Sequence, residues 1–171
     1  MPLTIDINTR GLKRAARKVD AVRRIETWRR AMTGALYDIV EISRNEYLTG
    51  PRPKRLGVGE FRLRNSLRPD HPETRTRVLS ANQGEVVGRV GTGVPYGKIH
   101  EYGTVGAGGT LKDIVPRNAK ALVFQVRGKT VFAKRVAIPP RPFLRPAIRR
   151  ARGKMRDRFA YELERAFEEQ G

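Results

Sequence analysis

The sequence contains no cysteine, which excludes disulfide bridges, iron–sulfur clusters, thiolate zinc sites and cysteine nucleophiles. Aromatic residues are few, at 7%, and the apolar fraction of 39% is on the low side for a globular chain. No run approaches the ~20 apolar residues that a helix needs to cross a bilayer. No apolar segment precedes the first charges, so we expect no secretory signal and synthesis in a cytoplasm.

Acidic residues are scarce relative to basic ones. Asp and Glu total 17 against 36 Lys and Arg, which gives a formal net charge of +19 over 171 residues. This excess predicts attraction to polyanions, either nucleic acid or acidic protein surfaces. The length is sufficient for a real core, while 17 Gly and 11 Pro indicate many loops without low complexity. We therefore expect one domain over residues 1–171.

Helical spacing occurs at both ends of the chain. Apolar residues recur every three to four positions from Leu12 to Tyr47, which predicts a helical region over about 10–48. Gly34 lies inside this pattern and leaves open whether it is one kinked helix or two. The same spacing from Leu144 to Phe167 predicts a helix over 142–168, and Pro146 suits its first turn.

The middle of the chain indicates a basic Pro/Gly-rich loop over 49–75, with a short helical turn at Phe61–Leu67, and a β region over 76–136. Alternating segments and turn residues predict two hairpins in that region. Their strands are expected at Thr76–Ala81 with Glu85–Val90, and at Ala121–Val126 with Thr130–Val136.

A glycine-rich stretch between the hairpins, within a loop at 103–118, is typical of a flexible surface loop. The element order predicts an α+β fold. In this fold an antiparallel β-sheet of two hairpins packs against a long N-terminal helical region and a long C-terminal helix.

Catalytic and metal-binding patterns are hard to find. The two histidines, His71 and His100, have no metal-ligand spacing, and a partly buried structural role is the better interpretation of His100. Gly128-Lys129-Thr130 ends like a phosphate-binding loop, but Val123 stands where that motif needs a glycine. Paired carboxylates for acid–base work are also missing. We expect no enzyme, no metal and no cofactor.

Basic residues cluster on the polar face of the first helical region and in the following loop. The basic-face candidates are Arg14, Arg17, Lys18, Arg24, Arg52, Lys54 and Arg55. Such residues neutralise phosphates without reading sequence, and arginine forks also pair with carboxylates at protein interfaces. Interleaved aromatics that would stack on bases are missing, and so is a helix-turn-helix pattern.

Three segments together resemble a known family. They are Leu63-Arg64-Asn65-Ser66-Leu67 after Thr49-Gly50, then Val90-Gly91-Thr92 leading into Tyr96-Gly97-Lys98-Ile99-His100-Glu101-Tyr102-Gly103-Thr104, and finally Ile138-Pro139-Pro140-Arg141-Pro142-Phe143-Leu144-Arg145-Pro146-Ala147. Their order and spacing are similar to the virion-morphogenesis, tail-completion and neck proteins of tailed bacteriophages. The likeness runs from about Leu12 to the C-terminus, and the last segment is its most specific part. Gly97 departs from the small Ala usual there, and the loop after Gly50 is longer than expected.

The resemblance implies a non-enzymatic virion protein that forms a ring, sixfold in a long-tailed phage, at the head–tail junction. It implies synthesis in the bacterial host cytoplasm and location in the virion, with no membrane. The implied partners are further copies of the chain, neighbouring tail-tube or tail-terminator proteins and head-connector proteins, with transient contact to genomic DNA. The alternative from another class is a basic nucleic-acid-binding protein without enzymatic activity.

The family segments supply the subunit-interface candidates. These are Tyr96, His100, Glu101, Tyr102, Arg141, Phe143, Leu144 and Arg145. Phe143 and Leu144 suit either a core or an interface, and Glu101 suits an ion pair with an arginine within the subunit or across the ring. For the basic face we favour acidic surfaces of neighbouring proteins, because a strongly basic channel would hold DNA during ejection.

Overall fold

The computed structural model describes residues 3–8, 21–50, 61–82, 85–126 and 128–168. In chain order these form β1 (Leu3–Asn8), α1 (Ala21–Ile42) with a π-helical end (Ser43–Tyr47), α2 (Arg62–Asn65), β2 (Arg77–Asn82), β3 (Glu85–Thr92), α3 (Gly97–Tyr102), a 3₁₀ turn (Val105–Ala107), β4 (Leu122–Val126), β5 (Lys129–Ala133) and α4 (Leu144–Glu168). The α+β class expected from the sequence is confirmed, with long helices packed against an antiparallel sheet.

The larger sheet has three antiparallel strands in the order β1-β3-β2. Strand β3 is central, and its alternating burial places Val86 and Val90 in the core. Strand β1 was not expected, although Leu3 and Ile5 follow the two-residue period of a strand. The first hairpin lies within one or two residues of its expected bounds.

The two hairpins do not share one sheet, which corrects that detail of the expectation. Strands β4 and β5 pair with each other as a separate two-stranded sheet, in which Val123 lies opposite Phe132. Strands β1 and β2 pair with the two edges of β3, and among the described strands β4 and β5 pair with neither β1 nor β2.

Helix α1 crosses the sheet and carries the centre of the core. Trp28, Met32 and Ile39 are fully buried along its inner face. Gly88 in β3 permits this close packing, because a Cβ there would stand 2.5 Å from the Met32 sulfur. The described helix begins at Ala21, so the expected helical residues 10–20 lie outside the described part of the chain.

Helix α1 runs without a break through Gly34, which answers the question of one helix or two. A Cβ at position 34 would lie 2.5 Å from the Arg158 Cδ, so the glycine leaves room for Arg158 to cross α1. Arg158 there donates to both carboxylate oxygens of Asp38, at 2.8 and 2.9 Å. These hydrogen bonds raise the pKa of Arg158 above its usual value.

Helix α4 packs antiparallel to α1. The rings of Trp28 and Phe159 lie 5.7 Å apart between the helices. Two further ion pairs join the helices, Arg30 with Glu162 at 3.4 Å and, through the π-helical end of α1, Arg150 with Glu46 at 3.0 Å. The order of layers is therefore sheet, α1 and α4, and the core lies between the sheet and the helices.

Candidate functional site

The carboxylate of Glu101 in α3 caps the beginning of α4. It is fully buried and accepts backbone N–H bonds from Phe143 at 2.7 Å, Leu144 at 2.9 Å and Arg145 at 3.0 Å. The next residue is Pro146, which has no N–H to satisfy. The four positions from Phe143 to Pro146, at the start of α4, therefore leave no unpaired donor, and the anionic cap also favours the positive end of the helix dipole.

The side chain of Arg145 also forms hydrogen bonds with Glu101, in addition to the Arg145 backbone N–H. Its Nε donates to the Glu101 carboxylate at 3.1 Å, and its Nη2 donates to the Glu101 backbone carbonyl at 2.8 Å. The guanidinium also stands 4.8 Å from the centre of the Tyr102 ring, a cation–π contact. The ion pair expected for Glu101 thus forms within the subunit.

A hydroxyl pair links α2 to the end of β3. The buried Ser66 Oγ lies 2.6 Å from Thr92 Oγ1, and Ser66 also donates to the Leu63 carbonyl at 2.8 Å. Thr92 Oγ1 accepts from the backbone N–H of Val94 at 3.0 Å. This pair fixes the first family segment against the strand that leads into the second.

Gly97 occupies the tightest part of this contact. A Cβ at that position would stand 2.9 Å from Thr92 Cγ2 and 3.2 Å from Leu63 Cδ1. Alanine, the residue usual in the resembled family, would therefore require its neighbours to shift. The departure at Gly97 has a local packing reason.

The three family segments consequently meet in one place, which we call the motif junction and define by Ser66, Thr92, Gly97, Glu101 and the first turn of α4. The third segment is also tied in just before α4, where the Arg141 N–H donates to the His100 carbonyl at 2.7 Å. Segments far apart in the sequence thus form one hydrogen-bonded unit.

The glycine-rich stretch after α3 folds into a hydrogen-bonded double turn. Thr104 is buried and pairs twice with Ile138, donating from its N–H at 2.8 Å and accepting at Oγ1 at 2.9 Å. Gly103 has φ +63°, and a Cβ there would stand 2.5 Å from the Pro140 nitrogen, so glycine is required. This ordered contact replaces the simple surface loop that the sequence indicated.

Asp113 stabilises the other end of that double turn. Its carboxylate accepts from the Gly106 N–H at 2.9 Å and pairs with Arg135. The Thr104 hydroxyl, the Gly106 N–H and Arg135 together hold the pKa of Asp113 below its usual value.

For three of the eight interface candidates, burial corrects the prediction that they lie at a subunit interface. Phe143, Leu144 and Glu101 have no exposed surface, so they belong to the core and to the helix cap rather than to a contact surface. The physical reason is that the hydrogen bonds from the start of α4 to the buried Glu101 hold this turn against the core, where Phe143 and Leu144 pack.

The remaining interface candidates reach the surface at least in part. They are Tyr96, His100, Tyr102, Arg141 and Arg145. Tyr96 and His100 form an edge-to-face pair with ring centres 5.8 Å apart. Of the basic-face candidates, Arg14, Arg17, Lys18, Arg52, Lys54 and Arg55 lie outside the described residues, and Arg24 lies in α1 with its side chain outside the description.

Among the residues that the structure describes, side chains suited to catalysis do not form a cluster. No cluster of three or more His, Asp or Glu side chains suitable for a metal occurs there. His71 has a local structural contact, because its Nδ1 accepts a hydrogen bond from the Glu73 N–H at 3.2 Å. A shallow depression of about 420 Å³ lies between α1 and α4, but its Asp38 and Arg158 are already paired. Among the described helices, none is long and apolar enough to cross a membrane.

Sequence reasoning missed two features of α4. The cap by Glu101 left only an indirect signal, an acidic residue in one segment and a proline-bounded helix start in another. The second feature is a line of exposed arginines at Arg145, Arg149, Arg152 and Arg156, whose i, i+4, i+7, i+11 spacing is readable directly.

Comparison with family models, curated proteins and solved structures found no match to this chain.

Proposed function

We propose that this chain is a structural virion protein of a tailed bacteriophage, a tail-completion or neck protein that forms a ring at the head–tail junction and joins tail to head. The observation that carries the proposal is the motif junction. The segments on which the family resemblance rests are those that hold each other through Ser66–Thr92, Glu101 and the first turn of α4. Residues that resemble a family pattern thus have interdependent structural roles.

This interdependence makes a chance resemblance a poor explanation. Glu101 needs a helix start with free N–H groups, and the Phe-Leu-Arg-Pro sequence provides three of them followed by a proline. Thr92 likewise needs the hydroxyl of Ser66, which the first segment provides. These contacts support the proposal, because the segments that carry the resemblance form one structural unit.

A closed ring needs two different contact surfaces on each subunit. The β4–β5 hairpin offers one, because Val123 and Phe132 form a cross-strand apolar pair with 61% and 70% of their surfaces exposed. A two-stranded sheet is marginally stable alone in water, so covering by a neighbour would stabilise it. The outer side of the helical layer offers another, where Tyr37 and Tyr161 are 50% and 59% exposed.

The ring would be sixfold and would contact tail-tube or tail-terminator proteins on one side and head-connector proteins on the other. The proposal is tested by deleting the gene from the phage or prophage that carries it and imaging the lysate by electron microscopy. Filled heads beside unattached or abnormal tails are expected, and a plasmid-borne copy of the gene should restore complete particles. Intact, infectious particles in the deletion lysate would contradict a structural role and make nucleic-acid binding the leading alternative.

A further inference from the structure

The arginine line on α4 differs from every other charged part of that helix. Arg145, Arg149, Arg152 and Arg156 lie within about 60° of one another around the axis and span about 16 Å along it. We call these four residues the arginine stripe. All four are exposed, and the Arg156 side chain is 84% exposed.

Among the described residues, carboxylates pair with Arg145 at the start of the stripe and with arginines on the other side of α4, but not with Arg149 or Arg152. Arg150 pairs with Glu46 and Arg158 with Asp38, both across the contact with the α1 region. Arg149 and Arg152 have no carboxylate partner among the described residues, and Arg156 has only its neighbour Asp157 at 3.9 Å. The stripe therefore holds positive charge that the described fold does not neutralise.

This arrangement is unfavourable for the helix itself. Like charges three or four residues apart repel each other, by about 0.2–0.5 kcal/mol per pair on an isolated helix. Helix stability thus gives no reason for Arg149, Arg152 and Arg156, whereas an anionic partner would remove the repulsion.

The composition of the stripe favours a phosphate backbone over a protein surface. The cores of protein interfaces are apolar and rich in aromatics, but the exposed residues on one flank of the stripe are the small Gly153 and Ala160, and the apolar Ile148 and Met155 on its other flank pack against the core. A Cβ at Gly153 would meet nothing within 4 Å, so a bulky ligand has room to approach. The guanidinium forks of arginine also match phosphate geometry.

A straight, rigid ligand fits better than a single strand. Single-stranded nucleic acid is held by aromatic side chains that stack on the bases. The aromatic ring that contacts the stripe in the described structure, Tyr102, is covered by the Arg145 guanidinium. From the charge, the regular spacing and the open approach we propose that the arginine stripe binds the phosphate backbone of duplex DNA, without reading its sequence. This proposal stands independently of the head–tail function.

The test measures binding of the full-length protein to a fluorescent DNA duplex by anisotropy from 50 to 300 mM salt. The stripe variant combines Arg149→Gln, Arg152→Gln and Arg156→Gln, and it keeps Arg145 because that residue holds Glu101. The matched control, Lys120→Gln with Lys129→Gln and Lys134→Gln, removes the same charge from exposed positions in and beside the β4–β5 hairpin. Circular dichroism checks that both variants fold, which is expected because glutamine is a good helix former at the stripe positions and the control positions are exposed.

We expect the stripe variant to bind DNA with a slope of log K against log salt shallower by about 2.7, which corresponds to three phosphate contacts. That difference amounts to about 40-fold in affinity between 50 and 200 mM salt. The control variant should keep nearly the whole slope. Equal loss in both variants would show that only diffuse net charge acts, and would overturn the proposal.

Two further probes test the choice of ligand. Labelled polyglutamate represents an acidic protein surface, and a duplex RNA of equal length represents the other helical nucleic acid. If the stripe substitutions weaken polyglutamate binding more than DNA binding, the stripe is a protein-contact surface and the proposal is wrong. Stripe-dependent binding that is stronger for duplex RNA than for DNA would overturn the assignment to DNA.

Discussion

The Arg145 guanidinium binds Glu101 at both its side chain and its backbone. Its Nε donates a hydrogen bond to the Glu101 carboxylate, and its Nη2 donates one to the Glu101 backbone carbonyl. The same carboxylate accepts the first three N–H groups of α4. One buried residue in α3 therefore decides where and in which direction the C-terminal helix begins. A substitution at this position should disturb the whole motif junction.

Glu101→Ala should destabilise the protein by about 3–5 kcal/mol, because three backbone donors at the start of α4 lose their acceptor at about 1–3 kcal/mol each, whereas the exposed Arg145 guanidinium can bind water instead. Urea unfolding followed by circular dichroism measures the change. Glu164→Ala, at an exposed position of α4, is the control and should stay within about 0.5 kcal/mol of the parent. A stability loss below about 1 kcal/mol for Glu101→Ala would show that the cap contributes little.

Phe143→Ala should cost about 3–5 kcal/mol, because the ring is fully buried and its removal leaves a cavity. Phe132→Ala, at a site that is 70% exposed, should change the free energy of unfolding by less than about 0.5 kcal/mol. If Phe143→Ala folds with normal stability and fails only in particle assembly, Phe143 is an interface residue after all. The proposed ring predicts the assembly defect for Phe132→Ala instead.

Replacement by alanine should change the stability of the protein in opposite directions at two glycines. Gly153 lies in α4 with open space around it, so Gly153→Ala should stabilise the protein by about 0.5–1 kcal/mol. At Gly109 a Cβ would stand 2.1 Å from the Gly103 carbonyl carbon, so Gly109→Ala must displace backbone. Thermal unfolding should show a higher Tm for the first variant and a lower one for the second. A lower Tm for Gly153→Ala would mean that this face of α4 is covered.

The contribution of Asp113 to stability should depend on pH. Because its pKa is lowered in the folded state, the carboxylate stabilises the fold above its unfolded pKa of about 3.9 and loses that effect as pH falls through the folded pKa. Asp113→Asn should therefore have a lower Tm than the parent at pH 7, and the difference should shrink below about pH 4. Asp157→Asn, at an exposed position, is the matched control. A constant difference at all pH values would contradict the interpretation.

Periodicity in the sequence was enough to predict the main elements. The α+β class, the C-terminal helix and both hairpins followed from apolar spacing and turn residues, which depend on neighbours along the chain. The separation of the hairpins into two sheets did not follow, and neither did the pairing of β1 with β3, because both depend on which strand edges meet in the folded chain. Edge occupancy is a tertiary property that no local pattern contains.

The candidate site could be predicted in its residues but not in its geometry. Glu101, Phe143, Leu144 and Arg145 were singled out from the sequence, yet whether they contact a neighbour or one another depends on where α3 lies relative to α4. Burial is the outcome of packing between segments far apart in the sequence. The arginine stripe is different, because its spacing is fully visible in the sequence, and only the lack of a carboxylate partner for Arg149 and Arg152 among the described residues required a structure.

The central claim, that this protein joins head to tail, is tested most directly by complementation in vitro. Purified protein is added to a lysate of the deletion phage that contains separate heads and tails, and infectious particles are counted. We expect a rise of several orders of magnitude with the parent protein and with Glu164→Ala, but little with Phe132→Ala. No rise with a parent protein shown to be folded would contradict the account.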